Sequence, residues 1–502
     1  MPTSRPLLRG EITYSTAQKK EVNILHRLSY HDQRERFFAH VVERRDWIEA
    51  IVAHHLNLGS PNSCYMDDME NWHHGSFNIC VPVTVNDWKR KEQPGKRVLL
   101  RFPLSYRVGD AFRPGNGDEK ICSNCPDVPI PKLYGFATST GQTFTRLQDL
   151  PTFTRWFQYV RRRLLSWLGR PVPTQFVCHQ AAGNISQNRV MGAGYLLIEY
   201  IEEEQGEMLS NTWPEKQLDA GLRTNFFRDL SRILLSITRI PLPKIGSFTI
   251  DPNGFLQLTN RPLSIGIHDL ENDKIPIDIP RDYTYSTIDS YVTDILRIHD
   301  SRLRYQPNAI NDIGDYIYQT SALAAMRTTF PSFFKSELRR GPFTFMLTDL
   351  HPSNIFVEKD WCITCLLDLE WACTRPIEML RTPTWLTNKA FIDILADEEQ
   401  KLRSKISPVT QPSLSVIMKD GWKKGTFWHS LALASPTGLF AVFYKQIQPR
   451  FLENCPDHDT FQQIMPWYWA HDWVNVAASK LSDKKEYDIE LRKAFETDPS
   501  PY

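Results

Sequence analysis

The spacing of apolar residues changes period several times along this chain. Within residues 1–60, Phe37, Val41, Trp47, Ile48, Ile51 and Val52 recur at near-helical spacing with Arg and Glu between them, which predicts helices. Gly59-Ser60-Pro61-Asn62 then breaks the pattern. Over residues 72–104 the period becomes that of a strand: Phe77, Ile79, Val81, Val83 and Val85 alternate with Asn78, Cys80 and Thr84. Pro82 cannot donate to a ladder, so it predicts an edge strand or a bulge there. Lys91 to Lys96 reads as a turn and Arg97-Val-Leu-Leu-Arg-Phe-Pro as the next strand, so a hairpin follows Gly75.

Residues 107–131 read as loop, with Pro114-Gly115-Asn116-Gly117 and three further prolines. Residues 150–170 predict a basic amphipathic helix whose stripe of Trp156, Val160, Leu164 and Trp167 is expected to pack inward. Tyr195-Leu-Leu-Ile-Glu-Tyr-Ile is a buried-strand run, closed by Glu202-Glu203-Glu204. From about residue 214 helical patterns dominate, apart from a hairpin over 246–259 centred on Asp251-Pro-Asn-Gly and a second strand-and-loop island over 343–370. Trp385, Trp428, Trp467, Tyr468 and Trp469 are expected in the core of those helices. Strands first, an extended connector near 201–206, then helices: this is an α+β layout.

Composition narrows the class without choosing a function. The chain has 502 residues, enough for two or three units with their own cores. With 59 Lys and Arg against 58 Asp and Glu, nothing draws it as a whole to nucleic acid or an anionic membrane; either partner would need a local patch, and neither is expected. The longest apolar run, Leu431 to Tyr444, is broken by Pro436 and Gly438 and is too short to cross a bilayer. The first residues lack an apolar signal core, so a soluble cytoplasmic protein is expected. Cys362 and Cys365 fall on opposite faces of a strand, and Cys122 with Cys125 has no second pair, which argues against zinc.

The chemistry gathers in the island. Asp349 follows an apolar run and enters a turn held by Pro352; Asn354 leaves that turn for Ile355-Phe-Val. Glu358-Lys-Asp is a hairpin turn, and the return strand brings Asp368 back towards Asp349 and Asn354. Each residue alone has an ordinary role in turns and caps. Together they offer two carboxylates and one amide oxygen from adjacent loops, which is what phosphoryl transfer from a metal-bound nucleotide requires.

Asp349-Leu-His-Pro-Ser-Asn354, followed by Leu367-Asp368-Leu-Glu370-Trp-Ala, resembles the paired signatures of the aminoglycoside phosphotransferase family, closest to its divergent fungal branch. Upstream, His74-Gly75-Ser76-Phe77-Asn78 resembles the phosphate-covering loop, Lys96 to Pro103 the next strand, and residues 194–202 the interlobe hinge. The resemblance implies a bilobal protein-kinase-like fold with a small N-terminal sheet lobe and a larger helical C-terminal lobe. The expected division is a helical extension over 1–60, a nucleotide-binding sheet lobe over 61–201 carrying the inserted helix 150–170, and a helical lobe over 202–502 with its catalytic and metal loops at 347–370. It implies Asp349 as catalytic base, Asn354 and Asp368 as ligands of Mg²⁺, and Gly75, Ser76, Phe77, Asn78, Arg101, Glu199 and Ile201 around ATP. The expected partners are that nucleotide and a small-molecule hydroxyl acceptor.

Three departures qualify the resemblance. Leu347 stands where the family has a His two residues before the base, and His351 matches its second His. Arg101 stands for the phosphate-pairing Lys; its planar fork has a different reach. The helix that should present a Glu to that cation has only Asp118 to Cys125 to form in, which leaves Glu119 as the expected partner. Without such a partner the alternative is a catalytically impaired pseudokinase serving as a binding or regulatory module.

Overall fold

A computed structural model describes residues 4–86, 88–91, 93–108, 128–179, 194–386, 388–405, 412–451 and 458–496. The chain opens with a two-stranded ribbon, β1 (Arg5–Pro6) and β2 (Glu11–Ile12), then α1 (Tyr14–Ala17), α2 (Ile24–Leu28), α3 (Tyr30–Val42) and α4 (Arg45–His55). The side chains of Thr13 and Asn23 cap the first two helices by accepting from backbone N–H groups of the first turn.

An antiparallel sheet follows, formed by β3 (Cys64–Met66), β4 (His73–His74), β5 (Asn78–Val85), β6 (Arg97–Pro103), β7 (Leu133–Ala137), β8 (Thr143–Arg146), β9 (Phe176–Cys178) and β10 (Tyr195–Glu199). Helix α5 (Thr152–Trp167) lies between β8 and β9 in sequence. The strand order is β3-β5-β6-β10-β7-β8-β9, with β4 also paired to β5. The alternation read from the sequence sends Val81, Val83, Val98 and Leu100 into one core with Ile48, Ile51 and Val52 of α4. At the end of α4 the buried His55 bridges Thr145 Oγ1 (2.9 Å) and Tyr195 Oη (3.0 Å). Its ring lies so close to Gly135 that a Cβ there would overlap it, so this approach requires glycine.

Pro82 departs from the expectation. It lies within β5, which has neighbours on both sides, at neither an edge nor a bulge. Its carbonyl accepts from Asp67 N at 3.0 Å, so its ring nitrogen faces that same side, in the interval between the short strands β4 and β3. No ladder bond is demanded there, and the missing donor costs little.

The connector after β10 is tied to β6 by the ion pair of Arg97 with Glu202 and by Arg97 lying 3.9 Å from the Tyr200 ring centre. The second, larger lobe begins with β11 (Glu207–Met208), α6 (Leu209–Lys216), α7 (Ala220–Thr238), the hairpin β12 (Ser247–Ile250) and β13 (Leu256–Asn260), α8 (Ile265–Asn272), α9 (Ile288–Tyr305) and α10 (Ile313–Thr329). The island comprises β14 (Phe343–Met346), β15 (Ile355–Val357), β16 (Ile363–Leu366) and β17 (Cys373–Pro376). Among the described residues the lobe continues with α11 (Asn388–Arg403), α12 (Leu414–Lys424), α13 (Thr426–Leu433), α14 (Leu439–Val442), α15 (His458–Trp469) and α16 (Trp473–Glu496). The three predicted hairpins are present as β5–β6, β12–β13 and β15–β16, and a small sheet lobe joined to a large helical one is the bilobal α+β arrangement anticipated.

The first thirty residues reach the helical lobe as well as the sheet. Ile12, Ala17 and Ile24 share a core with Tyr487, Leu491 and Phe495 of α16, and Tyr487 Oη accepts from Ile24 N at 2.9 Å. Asn308 donates to the carbonyls of Lys20 and Val22, and Gln306 to that of Glu21. The expected aromatic core is realised in part. Trp469 is buried and Trp385 and Trp428 pack against the core, but Trp467 and Tyr468 face solvent. Helix α5 also departs from its expectation: not one of its residues is buried.

His429 gives a pH test of this core. It is fully buried on α13 and stacked on Phe333, and neither ring nitrogen has a hydrogen-bond partner. Burial lowers its pKa to about 3. The unfolded chain therefore binds a proton at this site below about pH 6.5 that the folded chain refuses, and stability falls as pH drops through that window. At pH 5 the penalty is roughly 2 kcal/mol. The His429→Phe variant is expected to lose less stability between pH 7 and 5 than the wild type in urea titrations; equal losses would show that His429 does not titrate as its burial demands.

Candidate active site

Strand β14 delivers Asp349 into the turn before the short helical turn Pro352–Asn354. The turn is held from several sides. Thr348 Oγ1 donates to Trp371 O at 2.6 Å, the His351 side chain accepts from Ser353 N, and Trp385 Nε1 donates to Leu350 O at 2.8 Å. Leu347, in the place of the family's His, packs partly buried against the helical core. Asn354 is buried; its Nδ2 donates to Asp349 O at 3.1 Å, and its carbonyl accepts from Leu367 N at 2.8 Å. That last bond ties the turn to the residue before Asp368.

Strand β15 pairs with β16 in antiparallel register, Ile355 opposite Leu366, so the hairpin brings Asp368 back beside Asn354. Asp368 has φ 56° and ψ 41°, the left-handed region that few residues other than glycine adopt. Such strain persists only where surrounding contacts hold it, and it gathers at functional sites. Burial first, and then the charges of Asp368 and Glu370, push the Asp349 carboxyl up to about 6. The predicted trio therefore shares one locality, within electrostatic reach of one another.

Arg101 enters from β6 in the other lobe. Its Nη2 lies 2.5 Å from Asp368 Oδ1 and 2.7 Å from Glu370 Oε2. Glu370 Oε1 in turn accepts from Asn78 Nδ2 at 2.6 Å. Burial works against the guanidinium charge, but Glu370 and then Asp368 outweigh it and keep the group protonated. Glu119, the partner expected from the sequence, lies outside the described residues. Among the described residues, the carboxylates that meet Arg101 come from beyond β16.

The remaining candidates distribute as follows. Gly75 N donates to Asn78 O at 2.9 Å, closing a tight turn, and Ser76 O accepts from Arg107 Nε at 3.0 Å. Phe77 stacks edge-on against Trp371. Asn78 spends its side chain on Glu370, as above. Glu199 faces inward, accepting from Lys132 N and Gln205 Nε2, while its own N–H is taken by Lys132 O. Ile201 is half-buried in the connector. A cleft of about 100 Å³ opens between the sheet and the hairpin, lined by Arg101, Leu133, Leu196, Ile198, Leu366 and Asp368 among others. A larger cavity of about 220 Å³ lies on the Gly75 turn beside Arg9, Arg27, Arg34 and Arg107, and neither Asp349, Asn354 nor Asp368 lines it.

Sequence reasoning missed Glu370 as a functional group. The signal was a second acid in the apolar run Leu367-Asp368-Leu-Glu370-Trp-Ala, because a carboxylate that must be buried needs a cation. As oxygen donors, Asn354 and Asp368 suit a hard ion such as Mg²⁺, which keeps waters and shares phosphate oxygens. Among the described residues no group of three or more His, Cys, Asp and Glu is placed to hold a metal by itself.

The sequence comparison agrees with this geometry at the level of family. Residues 139–379, a little under half of the chain, match the model of the phosphotransferase enzyme family, APH. The match spans both signature loops and the hinge; Gly75 and Arg101 lie upstream of it. Among solved structures, the chain is similar to a thermostable mutant of aminoglycoside phosphotransferase APH(4)-Ia in ternary complex with AMP-PNP and hygromycin B. Identity is 11%, the match covers 84% of this chain and 94% of that one, and the TM-score is 0.34, too slight a likeness to argue from. Curated protein sequences gave no match.

The two acids that meet Arg101 differ in exposure, with side chains 38% accessible for Asp368 and 3% for Glu370. Glu370→Ala would leave a buried guanidinium with only the accessible Asp368 opposite it and is expected to cost about 3–5 kcal/mol. Asp368→Ala leaves the Arg101–Glu370 pair intact and is expected to cost about 1 kcal/mol or less. Equal losses on denaturant unfolding would refute this ranking.

Proposed function

We propose that this protein is an ATP- and Mg²⁺-dependent phosphotransferase acting on a hydroxyl group of a small molecule. The observation that carries the reading is the gathering of Asp349, Asn354 and Asp368 around one hairpin, facing a cation from the opposite lobe. Asp349 would orient the acceptor hydroxyl and take its proton, for which a carboxyl raised towards neutrality is suited. Asn354 and Asp368 would hold the ion, which when bound neutralises charge on the transferred phosphoryl group. Arg101 would meet phosphate oxygens. A guanidinium has five donors, so Glu370 can fix its place while others remain for the nucleotide. In this reading Glu370 does the work expected of Glu119, and Asn78 orients Glu370. The Gly75 turn would lie over the phosphates, and the connector at Glu199 and Ile201 beside the base.

One observation favours a second reading, a binding or regulatory module without turnover. Asp368, the proposed metal ligand, is engaged by Arg101 at 2.5 Å, so an ion must compete with a buried guanidinium for it.

A thermal-shift titration with Mg·ATP separates the two. At a hundredfold excess over Kd the wild type should gain about 2.7 kcal/mol, and Asp368→Ala should gain almost nothing. Asp349→Asn should keep the gain yet lose release of radiolabelled γ-phosphate to water by about 10²–10⁴-fold. A wild type that Mg·ATP does not stabilise would remove the phosphotransferase reading and leave the second.

A further inference from the structure

Helix α5 is attached to the protein by its polar side. Arg162 Nη2 donates to Thr174 O at 2.6 Å and Arg155 Nη1 to Gln148 O at 3.2 Å. Thr154, Arg155, Gln158, Arg161, Arg162 and Leu165 are the half-buried positions, and all but one are polar. The opposite side carries the apolar stripe. Phe153 is 89% exposed, Trp156 66%, Phe157 60%, Leu164 52%, Trp167 81% and Leu168 60%. These positions fall on one arc of a helix with 3.6 residues per turn. A surface helix ordinarily turns such a stripe towards the core. Here it faces solvent, and this is the largest concentration of exposed large apolar side chains among the described residues.

The charges on this helix point to what could cover the stripe. No Asp or Glu stands between Asp149 and Glu199, whereas Arg155, Arg161, Arg162, Arg163 and Arg170 lie in or just after the helix. Arg161 and Arg163 border the apolar arc on its two sides. Tryptophan and phenylalanine on one face, cations along its borders and no acids are the features of a helix that lies in a lipid–water interface. Long cationic side chains at the border reach headgroup phosphates while their stems stay in the apolar layer. Two copies meeting squarely on this face would bring like-charged borders together, which disfavours self-association. The near-zero net charge gives no general attraction to anionic lipid, so the local patch would supply it.

We propose that α5 docks this protein on a negatively charged membrane surface, with its aromatic face in the headgroup–acyl boundary and Arg161 and Arg163 on lipid phosphates. The helix does not cross the bilayer; no helix among the described residues is long and apolar enough to do so. The inference is independent of the phosphoryl-transfer reading, since none of these residues lines the cleft.

The full chain should co-sediment with vesicles of phosphatidylcholine mixed with phosphatidylserine, and at least about tenfold less with phosphatidylcholine alone or at high salt. Replacing both Trp156→Ser and Trp167→Ser should weaken sedimentation by about tenfold or more, as should Arg161→Gln with Arg163→Gln. All four side chains lie on or border the exposed face, so an unchanged thermal midpoint would confirm that each variant is folded. Failure of the wild type to sediment overturns the proposal, as do equal binding to neutral vesicles and variants that bind as the wild type does. Lipid-free dimerisation abolished by the tryptophan variant would assign the face to a second copy and overturn it too.

Discussion

A guanidinium buried where the two lobes meet sets what the cleft can be. Arg101 leaves β6 of the sheet lobe and meets Asp368 and Glu370 beyond β16 of the helical lobe. Removing a cation from water costs several kcal/mol unless opposite charge and hydrogen bonds replace the lost solvation. Separating the lobes at this point would undo that replacement, so the pair fixes their spacing here. Glu370 is itself bound by Asn78, the last residue of the proposed phosphate loop. One charge cluster therefore links the strand, the loop and the hairpin.

The two carboxylates divide their duties through burial. Glu370 is enclosed and cannot give up its partner cheaply, whereas Asp368 remains accessible and strained in a left-handed conformation. An accessible carboxylate can exchange one cation for another; an enclosed one anchors. Asp349 feels both charges and its own burial, which raises its affinity for a proton. Within a single hairpin, position relative to solvent separates an anchor, an exchangeable ligand and a candidate base.

Elements that precede the sheet in sequence support the same arrangement. Helix α4 fills one face of the sheet through His55 against Gly135, while residues 12–24 pack on α16 in the helical lobe. The N-terminal segment thus touches both lobes and adds a second tie away from the cleft. Helix α5 takes the opposite course: it is held at its polar side and leaves its apolar face open to solvent.

Local pattern determined much of this protein. Alternation foretold β5 and β6, Asp251-Pro-Asn-Gly foretold the hairpin β12–β13, and the Pro352 turn with the Glu358-Lys-Asp turn foretold the loops bearing Asp349, Asn354 and Asp368. These features depend on neighbours a few residues apart, so periodicity and turn chemistry reveal them. The resemblance in the signature loops added the family, which the match over residues 139–379 supports. Tertiary structure alone decided that Glu370 meets Arg101, that Pro82 lies harmlessly inside the sheet, and that the stripe on α5 points outward. An amphipathic pattern tells which side chains share a face but not what that face meets. A buried charge announces that it needs a partner, yet only packing between distant segments selects which one arrives.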